Sequence, residues 1–82
     1  MNKDKYIDLA DGAVMLDGFD DCLIGVSESF GEEPRLIYSK KQIICKLSKE
    51  MSNEDAIEYY YYNIVGGHFG TQNPIFIQDI LE

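Results

Sequence analysis

Tryptophan is missing from this 82-residue chain, and histidine, cysteine and proline are nearly so, with one, two and two copies. Each shortage excludes something. Cys22 and Cys45 lack the number and spacing of a disulfide framework or a Cys/His zinc site, so two reduced thiols are expected. The single histidine, His68, has no fixed Ser or Cys partner in the sequence, which is thin material for acid–base or nucleophilic chemistry. No apolar run approaches the roughly 18–20 residues of a membrane span. Met1 to Lys5 is charged but leads into no apolar signal segment, so the expected location is the cytoplasm. Basic residues are scarce too: seven Lys and Arg stand against fifteen Asp and Glu, for a net charge of −8. Nucleic-acid binding depends on neutralising phosphates with cations, so direct contact with DNA or RNA is not expected. An acidic chain is better matched to basic surfaces on other proteins.

What is present suffices for one small domain. A 45% hydrophobic content is too high for a disordered tail. A chain this short buries about 60–65% of its unfolded surface, for a stability of roughly 5 kcal/mol or a little more. The charge is unevenly placed. Asp4, Asp8, Asp11, Asp17, Asp20, Asp21, Glu28, Glu32 and Glu33 crowd the amino-terminal part, whereas Lys40, Lys41, Lys46 and Lys49 gather within ten positions.

The best-signalled stretch is Ser52 to Val65, SNEDAIEYYYYNIV, followed by Gly66-Gly67. Ser52 is a good N-cap, Glu54, Asp55 and Glu58 suit the positive end of a helix dipole, and the glycines supply a left-handed closing residue. At about 100° per residue, Ile57, Tyr60, Tyr61, Ile64 and Val65 form the core-facing arc with Ala56 at its edge. Asp55, Glu58, Tyr59 and Tyr62 then face outward.

Around this helix the pattern predicts an α+β two-layer sandwich. Tyr6 to Leu16 reads as a short helix, an Asp11-Gly12 turn and a strand, with residues 1–5 frayed. Cys22 to Phe30 alternates as a strand, with Gly25 a bulge or a point of close backbone approach. A polar loop of about four residues, Gly31 to Pro34, turns it into an antiparallel Arg35–Tyr38 strand. Ser39 caps a helix over about Lys40–Glu50 whose apolar stripe is Ile43, Ile44, Leu47 and Met51. A tight connection at Met51-Ser52 makes the two helices a hairpin. Pro74 opens a short strand through Ile77 that joins the β-hairpin under the helices.

Three constellations could carry chemistry. Asp17, Asp20 and Asp21 form an acidic bend, but as an EF-hand loop it would place Phe19 at a ligand position and Cys22 where the glycine belongs. A solvated turn is the better reading, and no metal is expected. Gly66, Gly67 and Gly70 follow a helix and lack the GK[ST] of a phosphate loop, so no cofactor is expected either. The run Tyr59-Tyr60-Tyr61-Tyr62 is the informative one. Tyr60 and Tyr61 are assigned to the core. Tyr59 and Tyr62, rigid aromatics beside Asp55 and Glu58, have the character of interface anchors.

Several of these pieces together resemble a family of small phage and prophage proteins of uncharacterised function. The pieces are Asp17-Gly18-Phe19-Asp20-Asp21 before a Leu-Ile-Gly-Val strand, Ile37-Tyr38 before a helix, Asn53 to Tyr59, Tyr62-Asn63-Ile64-Val65-Gly66-Gly67, and Asn73-Pro74-Ile75-Phe76. The resemblance spans about residues 16–78, with Asn73 where that pattern has threonine. It implies a compact α+β fold and a phage-related setting, and it brings no catalytic residues.

The function expected from all this is non-catalytic: a small acidic protein that binds and inhibits a host or defence protein, such as a nuclease, a polymerase or a CRISPR effector. Carboxylates spaced like phosphates would occlude a basic groove in the manner of a DNA mimic or anti-CRISPR protein, with tyrosines as anchors. The candidate contact residues are Asp55, Glu58, Tyr59 and Tyr62, together with Asp17, Asp20, Asp21, Glu28, Glu32 and Glu33. The alternatives are a homodimer formed through the tyrosine helix and, third, an enzyme using His68.

Overall fold

The computed structural model describes residues 3–67 and 72–78. The elements run α1 (Lys3–Leu9), a 3-10 turn (Asp20–Cys22), β1 (Leu23–Val26), β2 (Leu36–Ser39), α2 (Lys40–Leu47), α3 (Asn53–Tyr59), a π turn (Tyr60–Val65) and β3 (Ile75–Ile77). The sheet order is β1-β2-β3, with β1 antiparallel and β3 parallel to β2. Parallel neighbours need a crossover, and here α2 and α3 supply it. The result is a small α+β fold of a mixed three-stranded sheet and a helical layer.

The sheet explains which residues meet the helices. Tyr38 pairs with Phe76 across β2 and β3, so the two rings share one face and lie 6.3 Å apart. Tyr60 meets Phe76 edge-on at 5.7 Å. Around these aromatics Leu23, Leu36, Cys22 and Ile43 are buried. Each large apolar side chain there stabilises the fold by about 1.5–3 kcal/mol. The alternate face of β2 and β3 carries Ile37 opposite Ile75, both half-buried. The amino-terminal segment is tied in by a buried bond from the Leu16 backbone N–H to the Tyr38 hydroxyl at 2.9 Å, and by one from the Val14 amide to the Gln72 carbonyl at 3.2 Å.

Both helix caps form as their residue types dictate. Ser39 Oγ accepts from the Gln42 amide at 3.2 Å, and Ser52 Oγ from the Asp55 amide at 3.1 Å. Gly25 does mark a bulge: Leu23 pairs with Tyr38 and Gly25 with Ile37, so Ile24 is the extra residue. The Asp11-Gly12 turn is also present, with Gly12 at φ 86°.

Other boundaries differ from the sequence reading. β1 ends at Val26, not Phe30, and nine residues separate it from β2, not four. The reason is a clamp across the strand ends. Ser27 donates its amide to the Arg35 carbonyl at 2.7 Å and accepts the Arg35 amide on Oγ at 2.9 Å. Beyond the clamp the chain turns through Ser29–Glu32, where Gly31 at φ 82° takes the left-handed place that a type II turn gives to glycine. β2 is correspondingly shifted to Leu36–Ser39. The first helix begins at Lys3 and ends at Leu9, and the expected strand over Ala13–Leu16 is irregular chain. α2 stops at Leu47: Ser48 still donates to the Ile44 carbonyl four residues back, but Lys49 and Glu50 fold into tighter turns on the Lys46 and Leu47 carbonyls, so the interhelix connection is longer than expected.

The largest correction concerns α3, which the π turn continues without a break into one helix over residues 53–65. Its buried residues are Ala56, Tyr60 and Ile64, while Ile57, Tyr61 and Val65 of the expected arc are exposed. The helix widens into a π turn at Tyr60, with the Gly66 amide reaching the Tyr61 carbonyl five residues back at 3.0 Å. A π turn takes more residues per revolution than an α turn. Positions four apart therefore stay nearly in line, and the buried arc narrows to one i, i+4, i+8 row. Gly66 itself is right-handed at φ −75°, so the expected left-handed closure is not the mechanism.

Candidate functional site

The narrow buried row has a consequence for the surface. Five of the nine exposed large apolar side chains among the described residues lie between Ile57 and Val65. They divide into two flanks. On one, Tyr61 accepts a hydrogen bond from the Lys40 ammonium at 2.7 Å, and Lys40 lies 5.7 Å from the Tyr60 ring centre. Lys40 thus joins the start of α2 to the end of α3 and occupies the Tyr61 hydroxyl.

The other flank brings the four candidates of this helix together. Asp55, Glu58, Tyr59 and Tyr62, with Met51 and Asn63, line a depression of about 420 Å³. Tyr62 is 76% exposed and Tyr59 43%. Among the described residues neither Asp55 nor Glu58 has a basic partner. Met51 and Asn63 are the two positions the sequence reading missed. Met51 reads as the end of the α2 stripe, and it becomes available because α2 stops one turn early. Asn63 lies four residues after Tyr59, and that spacing was its one signal.

The amino-terminal acids are not one surface. Asp17, Asp20 and Asp21 lie before β1, whereas Glu28, Glu32 and Glu33 lie beyond its far end. Asp21 is engaged by the chain's own lysine, with Lys46 Nζ 3.0 and 3.2 Å from its two carboxylate oxygens. The Lys46 hydrogen bond holds the Asp21 carboxyl below its ordinary value and raises the Lys46 ammonium in turn. The pair closes the acidic bend onto α2, beside a depression of about 350 Å³ that both cysteines line. Cys22 is a buried free thiol and Cys45 an exposed one. Burial, then the Asp21 carboxylate, pushes the Cys22 thiol up to about 11, so it is not a nucleophile near neutrality.

Glu28 and Glu32 line a third depression of about 380 Å³ with Leu9, Val26 and Pro34. Phe30, at the tip of the same connection, is fully exposed, although the alternating pattern placed it in a strand. The signal for it was Ser29-Phe30-Gly31-Glu32, a turn sequence overlapping the strand pattern.

His68 lies outside the described residues. Among the described residues no three Cys, Asp or Glu side chains are grouped as metal ligands, and no helix is long and apolar enough to cross a membrane. No family model matches the chain, and no curated protein or solved structure is detectably similar to it.

Proposed function

We propose that this protein is a non-catalytic binding module whose Asp55–Glu58–Tyr59–Tyr62 face docks on a basic surface of another protein. One observation carries the reading: the helix buries a single row of side chains and leaves two tyrosines exposed beside two carboxylates that have no basic partner among the described residues. Tyrosine gives large contact area with few rotors to freeze, and its hydroxyl keeps a polar end for the rim. The carboxylates select for cationic partners and speed encounter. With Asp21 neutralised by Lys46, the amino-terminal acids contribute mainly through long-range field. The resemblance to small phage proteins supports a host or defence protein as the target and inhibition by occlusion as the outcome, as for a DNA mimic or an anti-CRISPR protein.

The test is comparative capture. Wild type and a Tyr59→Ala, Tyr62→Ala double variant are immobilised and challenged with bacterial extract at low and high salt. Truncating a contact-making aromatic costs about 2 kcal/mol or more, and this loss persists when salt shortens the Debye length from about 10 Å to about 3 Å. The expected result is a protein retained by wild type and lost by the folded double variant at both salts. Equal retention by the two would refute the α3 face as the docking surface.

A further inference from the structure

The helix that carries the cation-seeking face packs against α2, which carries basic residues of its own. Lys41 and Cys45 lie one turn apart on α2, and Lys49 follows in the tighter turn beyond its end, where it lines a depression with Cys45 and Lys46; all three are exposed. Two other lysines of the segment are already engaged, Lys46 by Asp21 and Lys40 by Tyr61. Lys41 and Lys49 have no carboxylate partner among the described residues, and neither do Asp55 and Glu58. Among the described residues, two exposed and oppositely charged sets, neither of them paired, thus lie on neighbouring helices packed side by side.

That arrangement is self-complementary under two-fold symmetry. α2 and α3 run in opposite directions, with Lys40 at the start of α2 held against Tyr61 at the end of α3. A two-fold axis parallel to both helices sets α2 of one copy over α3 of the other, again antiparallel. It repeats the same contacts twice, as an isologous interface requires. Lys49 then comes level with the Asp55 end of the mate's α3, and Lys41 with its Tyr62 end.

We propose that a second copy of this chain docks on the α3 face, each chain's Lys41 and Lys49 covering its mate's Asp55, Glu58 and Tyr62. The inference rests on reading that face as a docking surface, and it identifies one occupant. The pairing hides Tyr62 until a stronger basic partner displaces the mate. A net charge of −8 on each copy opposes association at long range. The chain measures 27 and 23 Å along its shorter axes, so the centres of two copies lie several Debye lengths apart at physiological salt, where that length is about 8 Å. The contact pairs lie within one Debye length and keep their attraction.

Sedimentation velocity at about 0.15 M salt, from micromolar to high micromolar protein, tests this with a charge swap. Wild type should reach the dimer mass. Lys41→Glu with Lys49→Glu, and separately Asp55→Lys with Glu58→Lys, should each associate at least tenfold more weakly. An equimolar mixture of the two should regain the dimer, because every reversed set then meets its opposite. Far-ultraviolet circular dichroism checks each fold. Should a reversal unfold the chain, Lys41→Gln with Lys49→Gln and Asp55→Asn with Glu58→Gln replace it, with the same expected weakening. A wild type that stays monomeric, a reversal that associates like wild type, or a mixture that fails to pair each overturns the proposal. If a monomeric wild type still retains a protein that the Tyr59→Ala, Tyr62→Ala variant loses, only the second-copy inference falls. Equal retention by those two sinks the underlying reading instead.

Discussion

Removing one oxygen atom from Tyr38 should be among the more damaging small changes in this protein. Its ring is fully buried, and its hydroxyl accepts the Leu16 amide at 2.9 Å where Leu16 is itself 7% exposed. Tyr38→Phe keeps the ring, its contact with Phe76 and the strand pairing. What it removes is the acceptor, leaving a buried N–H unsatisfied. That penalty is about 1–3 kcal/mol, larger than the net gain from an ordinary hydrogen bond. For a domain of this size each kcal/mol lowers Tm by about 4–8 °C, so a loss near 2 kcal/mol corresponds to roughly 8–16 °C. Urea unfolding gives the cleanest number, because an unchanged slope with a lower midpoint isolates a stability change from a change in the unfolded ensemble. Tyr62→Phe is the matched control: the same atom is lost from a side chain 76% exposed, and the expected effect is within about 0.5 kcal/mol. If the two variants melted together, the Leu16 amide would have another acceptor, and the bond could not be what ties the amino-terminal segment to β2.

Two further outcomes follow from burial. Tyr60→Ala should cost about 3–5 kcal/mol by opening a cavity against Phe76. Ile57→Ala, at a site 38% exposed, should cost less than about 1.5 kcal/mol; a reversed order in urea melts would restore the arc centred on Ile57. Alkali should destabilise the fold, because burial raises Cys22 to about 11 and Tyr60 to about 12. The unfolded chain ionises at the ordinary values, so this stability is complete below about pH 9 and is lost as pH climbs through about 11 and 12. Rises from 9 to about 11 and from 10 to about 12, at about 1.4 kcal/mol per pH unit, combine to a loss of roughly 5 kcal/mol, and a Tm unchanged up to pH 11 would refute it.

Local signals were legible wherever one residue type has one use. Ser39 and Ser52 as caps, Gly25 at a bulge and Pro74 just ahead of a strand were readable because each solves a problem that few other residues solve. The outward set Asp55, Glu58, Tyr59 and Tyr62 was readable for a different reason. It lies opposite the buried row and stays outside under either helical period. The flanking residues did not have that protection. Ile57, Tyr61 and Val65 sit at the margin of the buried arc, where a change of helical period after Tyr59 decides their burial, and no propensity encodes a π turn. The β1–β2 connection failed for a related reason. Phe30 fits the alternation of β1, and only the Ser27–Arg35 clamp, a tertiary contact, ends the strand before it. Asp21 looked like a solvated acid because its partner, Lys46, is twenty-five residues away.

The π turn also bears on how the tyrosine run can change length. A single π turn amounts to an α-helix accommodating one residue more than its period allows. Tyr60 and Ile64 stay stacked in the core on either side of it, and the surplus is carried outward among Tyr61, Tyr62 and Asn63. The core therefore reads this segment as a fixed pair of anchors with an adjustable bridge between them. Deleting one bridge residue would return the turn to plain α-helix and place Ile64 three residues after Tyr60, still on the buried side of the helix. Substituting bridge residues leaves the anchors alone. The run can thus lose its surplus residue while Tyr60 and Ile64 keep the buried side, and Tyr62, 76% exposed, can vary with whatever the face must touch.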